Sequence, residues 1–208
     1  MDLENAKRKT IFNFPETKFP CTFVHSWEKI IDIGKMDSAY VLEKGKIEHA
    51  ERIYHIHTSA IKQLCSSHYE EKQISLWAGK QKQEKYVPFL ESGDMIVAKK
   101  NEIVVGFIHH IHHTKGINTE QCSDDDQMEI KGLFIDPGYA GHGLGRLLFQ
   151  EVEEIAVEKD VKVMTVSASL NSLPFYQKMG FKEVDRKPHQ ITCQCSVECV
   201  SMVKSLAQ

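Results

Sequence analysis

The chain contains three glycines at alternate positions, Gly141, Gly143 and Gly145. Their type and spacing suggest a loop that binds an anionic ligand. These glycines lie between a predicted strand and a predicted helix, and a helix N-terminus attracts anions through its free N–H groups. Because glycine has no Cβ atom, the main chain can approach a ligand closely. The N–H groups from Gly141 to Arg146 can therefore converge on a pyrophosphate, and Arg146 adds a fixed positive charge. A turn that only starts the helix is the alternative.

Two familiar phosphate loops do not fit this spacing. A dinucleotide fingerprint needs a glycine at its sixth position, but that position is Arg146 when counted from Gly141. Counted from Gly143, it is Leu148. A Walker loop counted from Gly138 lacks the Lys-Ser/Thr pair that should follow Gly143. The spacing therefore excludes hydride transfer and nucleoside triphosphate hydrolysis.

The composition predicts one main domain that does not bind nucleic acid. The chain has 208 residues, of which 41% are hydrophobic and 26% are charged, enough for one buried core. A formal net charge of −3 provides no general basic field for a nucleic acid. No apolar run is long enough to span a membrane, and residues 1–14 are too charged for a secretory signal. We expect a cytoplasmic protein without a membrane partner, with the nucleus as the alternative compartment.

The sequence divides into an N-terminal extension, residues 1–37, and a domain, residues 38–208. The elements that would position the loop lie in the domain. From residue 128 onwards strands alternate with helices, which indicates parallel pairing, while a hairpin before them indicates antiparallel pairing. The sequence therefore predicts an α/β (α+β) fold with a mixed central sheet flanked by helices. The predicted strands are 38–43, 95–99, 103–111, 128–135, 161–167, 181–184 and 193–203. The predicted helices are 46–64, 84–90, 144–159 and 172–179. One more helix is predicted after a capping box formed by Ser67 and Glu70.

Two groups of histidine and cysteine residues resemble metal ligands but are not expected to bind a metal. His189, Cys193, Cys195 and Cys199 would extend over about 33 Å if they lay on one strand, too far to share a tetrahedral ion. A tight turn in the middle would be needed to bring them together. The run His109–His113 places histidines on both faces of an extended segment, which is typical of a solvated strand end.

Two segments resemble the GNAT superfamily of N-acetyltransferases. The stretch "GLFIDPGYAGHGLGRLLF", residues 132–149, resembles its cofactor-binding segment, in which a loop Gln/Arg-x-x-Gly-x-Gly/Ala opens the helix that receives the acetyl-CoA pyrophosphate. The stretch "LPFYQKMGF", residues 173–181, is similar to its later helix, which carries an aromatic pair and ends at Gly-Phe. The Gln/Arg position falls on Ala140, so a side-chain contact made by some members is absent here.

The resemblance implies a GNAT-like acyl-CoA N-acyltransferase fold, acetyl-CoA as co-substrate and a cofactor site without a metal. Backbone groups around Leu133, Phe134 and Ile135 would meet the pantetheine amides and the oxyanion. Gly132 offers a place for the strand to bulge and separate from its parallel neighbour, with simple packing tolerance as the alternative. Asn171 would contact the pantetheine arm or help to start a helix. The pyrophosphate would lie on Gly141, His142, Gly143, Leu144, Gly145 and Arg146.

The same resemblance assigns two catalytic candidates. An alkylammonium is neutral in only about one molecule in 2,500 at pH 7, so acetyl transfer to an amine needs a base. Glu129 stands where some superfamily members hold that base, with a strand-edge carboxylate as the alternative. Tyr176 is the expected general acid for the leaving thiolate, with a core aromatic residue as the alternative.

The function predicted from these residues is acetyl transfer from acetyl-CoA to a primary amine of a small molecule, directly within a ternary complex. A protein lysine or N-terminus is the alternative acceptor, and a non-catalytic acyl-CoA-binding sensor is the alternative of another class. Asp124, Asp125 and Asp126 would favour a cationic amine if they folded over the site, and would otherwise form a solvated loop. A monomer or a homodimer is expected.

Overall fold

The structure, a computed structural model, describes residues 29–32, 39–114 and 126–206. Its strands are β1 (Lys29–Asp32), β2 (Ala39–Lys44), β3 (Met95–Lys100), β4 (Ile103–His113), β5 (Gln127–Ile135), β6 (Val163–Ser169), β7 (Lys182–Thr192) and β8 (Cys195–Ser205). Its α-helices are α1 (Ala50–Leu64), α2 (Glu71–Gly79), α3 (Val87–Glu91), α4 (Leu144–Glu158) and α5 (Leu173–Lys178), with short 3₁₀ turns at Ile47–His49, Gln83–Tyr86 and Pro137–Tyr139.

All of these strands belong to one sheet, in the order β1-β2-β3-β4-β5-β6-β8-β7. The pair β5–β6 is parallel, and the other neighbouring pairs are antiparallel. The predicted mixed sheet flanked by helices is therefore confirmed. Strand β1 lies within the predicted extension 1–37 and pairs with β2, while the domain boundary at residue 38 stays a prediction.

The predicted hairpin before β5 is confirmed, and its turn has a specific backbone cause. Strands β3 and β4 pair antiparallel from Lys100 and Ile103 onwards. The two residues between them, Asn101 and Glu102, have φ values of 49° and 63°. Positive φ at both central residues is the geometry of a two-residue turn whose twist matches that of the strands.

The helices cover the two faces of the sheet with separate apolar layers. On one face, α4 buries the predicted stripe that includes Leu144, Leu148 and Val152, and it packs with β5 residues Met128 and Ile130. On the other face, α1 and the segment up to α3 pack on β3 and β4. Helix α2 packs on the β7–β8 hairpin. Side chains alternate along β5, so Glu129 lies on the face of α1 rather than that of α4.

The predicted start of α2 is wrong by three residues. The helix begins at Glu71, and its capping box joins Glu70 to Gln73 instead of Ser67 to Glu70. The backbone N–H of Glu70 donates to Gln73 Oε1 over 2.9 Å. Tyr69, just before the cap, is buried and holds the chain in place, since its hydroxyl donates to the Glu198 carbonyl over 2.7 Å. This long-range contact fixes the chain just before the start of the helix.

The interpretation of the histidine run as a solvated strand end is wrong for two of its members. His109 and His110 are buried, with 9% and 6% of their surfaces exposed. The His109 ring packs against Phe89, with 4.2 Å between ring centroids. The run is therefore part of the interior of β4, and only its last residues approach solvent.

The segment from His189 to Cys199 is also not the single strand that the distance argument assumed. It turns between β7 and β8, so that Lys187 pairs with Cys199 and His189 with Val197. Even so, no group of three or more metal-ligating side chains forms within residues 39–114 and 126–206. In the same part of the chain, no helix is long and apolar enough to cross a bilayer.

Candidate active site

A gap opens within the sheet where β5 and β6 separate. Their pairing runs from Gln127–Val163 to Ile130–Val166 and then stops. Beyond it, β5 stays paired with β4 up to Ile135, and the end of β6 stays paired with β8. The described part of β5 after Ile130 therefore has no strand partner on the β6 side. The predicted separation from the parallel neighbour is confirmed.

A β-bulge accompanies this separation, as predicted at Gly132. His109 pairs with Gly132 and His110 with Ile130, so Lys131 is an extra residue in β5. A Cβ atom on Gly132 would lie only 2.7 Å from the ring of Phe134. Any residue with a Cβ atom here would have to displace the Phe134 ring, whereas glycine leaves it in place.

The backbone of β5 presents alternate residues to the gap. The N–H of Asp136 donates to the Val105 carbonyl of β4 over 2.9 Å. Since backbone groups alternate along a strand, the N–H and C=O groups of Leu133 and Ile135 point away from β4 and into the gap. Those of Phe134 point towards β4, and this residue contributes its ring instead. Of the three predicted residues, Leu133 and Ile135 can therefore offer backbone hydrogen bonds to a ligand.

The glycine loop leads from this gap into α4. Gly141 and Gly143 have φ values of 80° and 83°, a left-handed conformation that favours glycine, and a Cβ atom on either would meet open space. Gly143 is the N-cap of α4. The first helical amides, those of Leu144 and Gly145, are therefore free of intrahelical partners.

The remaining loop residues differ in what they can offer. The amide of Arg146 donates to the Gly143 carbonyl over 3.0 Å, so only the exposed guanidinium of Arg146 is left for a ligand. His142 is exposed beside it. The Leu144 side chain is buried in the core, which leaves only its backbone for binding. The loop has the geometry of an anion site at a helix N-terminus.

An ion pair that the sequence analysis missed anchors the start of this loop. Arg52 of α1 donates through Nε to the Val104 carbonyl over 2.8 Å, and through a terminal nitrogen to Asp136 Oδ2 over 2.5 Å. The other oxygen of Asp136 accepts from the Gly138 N–H over 2.9 Å. The carboxylate thus joins α1, the end of β5 and the first turn of the loop.

Replacing Asp136 with alanine is expected to lower the free energy of unfolding by about 2 kcal/mol, because it leaves a half-buried Arg52 without its charged partner. Asp136→Asn should cost less, since it keeps an oxygen for the Gly138 N–H. Urea denaturation measures both effects. Glu51→Ala, at an exposed site on α1, is the control and should stay within about 0.5 kcal/mol of the wild type. Equal stability of the Asp136→Ala protein would contradict the anchoring role.

Asn171 lies just after β6, on the other side of the gap. Its Oδ1 atom is buried and has no hydrogen-bond partner among the described residues, although the thiol of Cys65 lies beside it. A buried acceptor without a partner is costly, so a donor from a ligand would relieve that cost. The helix-starting alternative receives no support from this side chain, which makes no capping hydrogen bond within the structure as described.

Tyr176 lies on α5, buried between two aromatic residues. Its ring centroid is 5.1 Å from that of Phe175 and 5.5 Å from that of Phe181, and 4% of the residue is exposed. Its hydroxyl bonds to no other described residue. Burial raises the pKa of Tyr176 above its ordinary value, so the phenol keeps its proton at neutral pH. The residue is both a core aromatic and a potential proton donor.

Glu129 is held by two basic side chains. Lys131 Nζ lies 2.8 Å from one carboxylate oxygen, and His113 Nε2 lies 3.0 Å from the other. Burial acts to raise the pKa of Glu129, but the hydrogen bonds from Lys131 and His113 outweigh it and the pKa is lowered. The carboxylate is therefore ionised at neutral pH, and the same two partners make it a weaker base than a free carboxylate. It lies at the base of the gap, one residue before the β5–β6 pairing ends.

An aromatic wall on the same face as Glu129 also escaped the sequence analysis. The ring of His57, on α1, is 3.8 Å from that of Phe134 and 6.1 Å from that of Phe107. Its Nδ1 atom lies 2.8 Å from the Tyr86 hydroxyl. Burial, and then the nearby Lys85 ammonium, lower the pKa of His57 to about 3, so the imidazole is neutral at neutral pH. In the sequence, His57 stands out only as a polar residue within the apolar stripe of the predicted helix 46–64.

Comparison with protein families and curated sequences identifies relatives of this chain. A family profile described as "Acetyltransferase (GNAT) domain" matches residues 65–206, more than half of the sequence. The uncharacterized N-acetyltransferase YafP of Escherichia coli (strain K12) is 29% identical over 135 residues, which cover 65% of this chain and 75% of YafP.

Solved structures show the same fold. The GCN5-related N-acetyltransferase from Rhodopseudomonas palustris matches with a TM-score of 0.68 and 25% identity, over 83% of this chain and 99% of that one. The PaiA N-acetyltransferase from Thermoplasma acidophilum, solved in complex with coenzyme A, matches with a TM-score of 0.63 and 22% identity, over 81% of this chain and 100% of that one.

Proposed function

The chain belongs to the GNAT acetyltransferase family, the acetyl-CoA-dependent N-acetyltransferases, and on that premise we propose that it acetylates a primary amine of a small molecule by direct transfer in a ternary complex. The observation that carries the proposal is the gap between β5 and β6, which joins unpaired backbone groups to the glycine loop. In this proposal acetyl-CoA lies on the side of the loop and the acceptor on the side of the aromatic wall.

The residues at the gap fit acetyl-CoA. The amides of Leu144 and Gly145, with the Arg146 guanidinium, would hold the pyrophosphate. The backbone groups of Leu133 and Ile135 and the Oδ1 atom of Asn171 supply both donors and acceptors, as the amides of a pantetheine arm require. When bound, acetyl-CoA supplies the activated acetyl group and leaves as a thiol.

The residues of the chain perform the proton movements. Glu129 accepts the proton that the acceptor ammonium must lose, directly or through a water molecule, because only the neutral amine is a nucleophile. Tyr176 keeps its phenolic proton at neutral pH, so its hydroxyl can donate a hydrogen bond to the sulfur as negative charge develops there, and can protonate it when the sulfur lies within hydrogen-bond reach. The buried surroundings of the Tyr176 ring hold it in one orientation.

The acceptor side of the gap carries the aromatic wall, in which the His57 ring packs with Tyr86, Phe107 and Phe134. A small amine is the acceptor that we propose for this side. The acidic segment Asp124–Asp125, which would favour a cationic amine, lies outside the described residues. A protein lysine or N-terminus stays the alternative acceptor. A panel of amino acids, aralkylamines, amino sugars and peptides, assayed by thiol release, separates these acceptors.

The decisive experiment compares wild-type protein with Tyr176→Phe in that assay. The substitution keeps the ring packing and removes only the proton donor, so kcat should fall at least about tenfold while CoA binding, measured by calorimetry, is unchanged. Tyr40→Phe, a buried tyrosine on β2 of the same core, is the matched control and should keep full activity.

Each result bears on a different claim. Equal kcat values for wild-type and Tyr176→Phe proteins would remove Tyr176 from the mechanism. Binding of CoA without thiol release for any amine would favour the acyl-CoA sensor. A millimolar Kd is already a weak affinity. If the protein does not bind CoA even at about millimolar concentration, both the acetyltransferase and the acyl-CoA sensor hypotheses are wrong.

A further inference from the structure

The end of β6 is joined to β8 by a side chain instead of by the strand ladder. The β6–β8 pairing ends at Ser169 and Cys199, so the next pair in register would be Leu170 with Glu198. The hydroxyl of Tyr69 bridges these two residues: it donates to the Glu198 carbonyl over 2.7 Å and accepts from the Leu170 N–H over 2.8 Å. A phenol can do both at once. Tyr69 therefore takes the place of one rung of the sheet at the point where β6 ends.

The position of Tyr69 is itself fixed. The residue is buried, and its ring packs edge to face on Trp77 of α2, with 5.7 Å between ring centroids. The Leu170 side chain packs against the same apolar layer. Burial raises the pKa of Tyr69 to about 12, so the hydroxyl keeps the proton that it donates to Glu198. The connection between α1 and α2 therefore holds the end of β6 through a buried contact.

The residues that follow this contact form a tight turn that carries Asn171. The Ser169 carbonyl accepts from both the N–H and the hydroxyl of Ser172, each over 2.9 Å. Because Tyr69 holds the Leu170 N–H, the turn is fixed at its first, second and last residues. Asn171 is the remaining residue, and its buried Oδ1 atom has no hydrogen-bond partner among the described residues. A fixed turn thus presents this acceptor atom at the β6 side of the gap.

The helix that carries Tyr176 has a separate support. Helix α5 follows the turn directly. Its far end is held by Lys204 of β8, whose ammonium donates to the Met179 carbonyl over 2.6 Å. The Tyr176 ring is buried in the core beneath α4. Loss of the Tyr69 hydroxyl should therefore displace Asn171 more than Tyr176.

We propose that Tyr69 is a positioning residue for the cofactor, because it holds the turn after β6 so that the Asn171 side chain meets the pantetheine arm of acetyl-CoA. The proposal rests on the proposed function and adds to it a residue that acts through another. An acceptor atom on a fixed turn binds its donor without first losing conformational freedom, whereas a mobile one must be ordered by the ligand. Tyr69 should therefore affect the affinity for the cofactor and leave the chemical step unchanged.

Tyr69→Phe tests this role, since it removes the hydroxyl and keeps the ring packed on Trp77. The Kd for CoA, measured by calorimetry, should rise about tenfold, the effect of one well-placed hydrogen bond. The KM for acetyl-CoA should rise with it, while kcat at saturating acetyl-CoA stays within about twofold of the wild-type value. A residue that only supported the fold would change neither constant in protein that remains folded. Calorimetry needs no acceptor, so the identity of the amine does not enter the test.

A double-mutant cycle with Asn171→Ala shows whether Tyr69 acts through Asn171. Asn171→Ala alone should also raise the Kd for CoA about tenfold. If the two residues act as one unit, adding Tyr69→Phe to Asn171→Ala should change the Kd by less than about twofold. Independent effects would instead multiply to about 100-fold and would overturn the proposed coupling.

Gln73→Ala is the matched control for stability. Gln73, on α2, also makes two hydrogen bonds: its Nε2 atom donates to the Ser196 carbonyl of β8 over 2.7 Å, and its Oε1 atom accepts from the Glu70 N–H over 2.9 Å. Neither bond reaches the turn after β6. Gln73→Ala should lower the urea midpoint about as much as Tyr69→Phe does and leave the Kd for CoA unchanged. An equal rise in Kd would show that general loosening weakens CoA binding, and the positioning role would be wrong.

The outcomes separate this proposal from the proposed function. If the wild-type protein binds CoA and Tyr69→Phe binds it equally well, only the role of Tyr69 is wrong. If Tyr69→Phe lowers kcat more than it raises the KM for acetyl-CoA, the hydroxyl acts on the chemical step, which also overturns the positioning role. If the wild-type protein does not bind CoA, the proposed function fails and this proposal fails with it.

Discussion

Glu129→Gln is expected to lower kcat about 100-fold, with little change in the affinity for CoA, because the amide cannot accept the proton that the acceptor must lose. The substitution preserves size and polarity, so the protein should fold as the wild type does. Thiol release under saturating CoA measures kcat, and calorimetry measures CoA binding. Glu158→Gln, an exposed carboxylate at the end of α4, is the control.

The pH dependence gives a second readout of the same residue. Lys131 and His113 hold the pKa of Glu129 below its ordinary value despite burial. The carboxylate therefore stays ionised as the pH falls towards 4.5, and it should produce no acidic limb in kcat/KM above that value. Removing His113 as a partner, in His113→Leu, should move the acidic limb upwards. A Glu129→Gln protein with wild-type kcat would show that water or another group removes the proton.

The second large effect concerns stability in mild acid. Burial is the first cause that lowers the pKa of His57 to about 3 and the pKa values of His109 and His110 to about 4. In the unfolded chain the same histidines have a pKa of about 6.5. Below that value the unfolded state binds protons that the folded state excludes, so each histidine contributes a loss of up to about 1.4 kcal/mol per pH unit.

The three histidines together should reduce the free energy of unfolding by about 5 kcal/mol between pH 7 and pH 5. Their contribution is complete above pH 6.5 and is lost progressively as the pH falls towards 4. Urea denaturation at several pH values measures the slope. His109→Leu should reduce that slope by about one third, whereas His55→Gln, an exposed histidine on α1, controls for the loss of a histidine as such. A free energy that is constant from pH 7 to pH 5 would contradict this account.

The parts of the site that follow one another along the chain could be predicted from sequence. The glycine loop, the helix that it opens and the strand before it lie within residues 128–159, where each signal is local. Gly141 and Gly143 take the positive φ values that only glycine adopts readily, and the apolar stripe of α4 faces the core. The roles of Glu129 and Tyr176 came from resemblance, and they stay predictions that the two substitutions test.

The parts that depend on contacts between distant segments could not be predicted. Arg52 and Asp136 are 84 residues apart, and nothing in either neighbourhood signals the pairing. His57 looked like an irregularity in an apolar stripe because its partners, Phe134 and Tyr86, come from other elements.

Strand β7 was predicted too short for a different reason. The prediction ended at residue 184, whereas the strand runs to Thr192. As the last strand of the sheet it is mostly exposed, so its residues are charged and lack the alternation that marks a half-buried strand. It even contains Pro188, which an edge strand tolerates because one side of its backbone needs no partner.

The separation of β5 and β6 also affects how long the folded protein survives. A strand edge inside a sheet, with Leu133 and Ile135 unpaired on the β6 side, is an incomplete piece of secondary structure. A ligand whose amides bond to that edge completes it, and its binding adds RT ln(1 + [L]/Kd) to the stability, about 2.7 kcal/mol at 100 times Kd. Resistance to proteolysis in the cell would then rise with the supply of acetyl-CoA, which links the abundance of the enzyme to that of its own co-substrate.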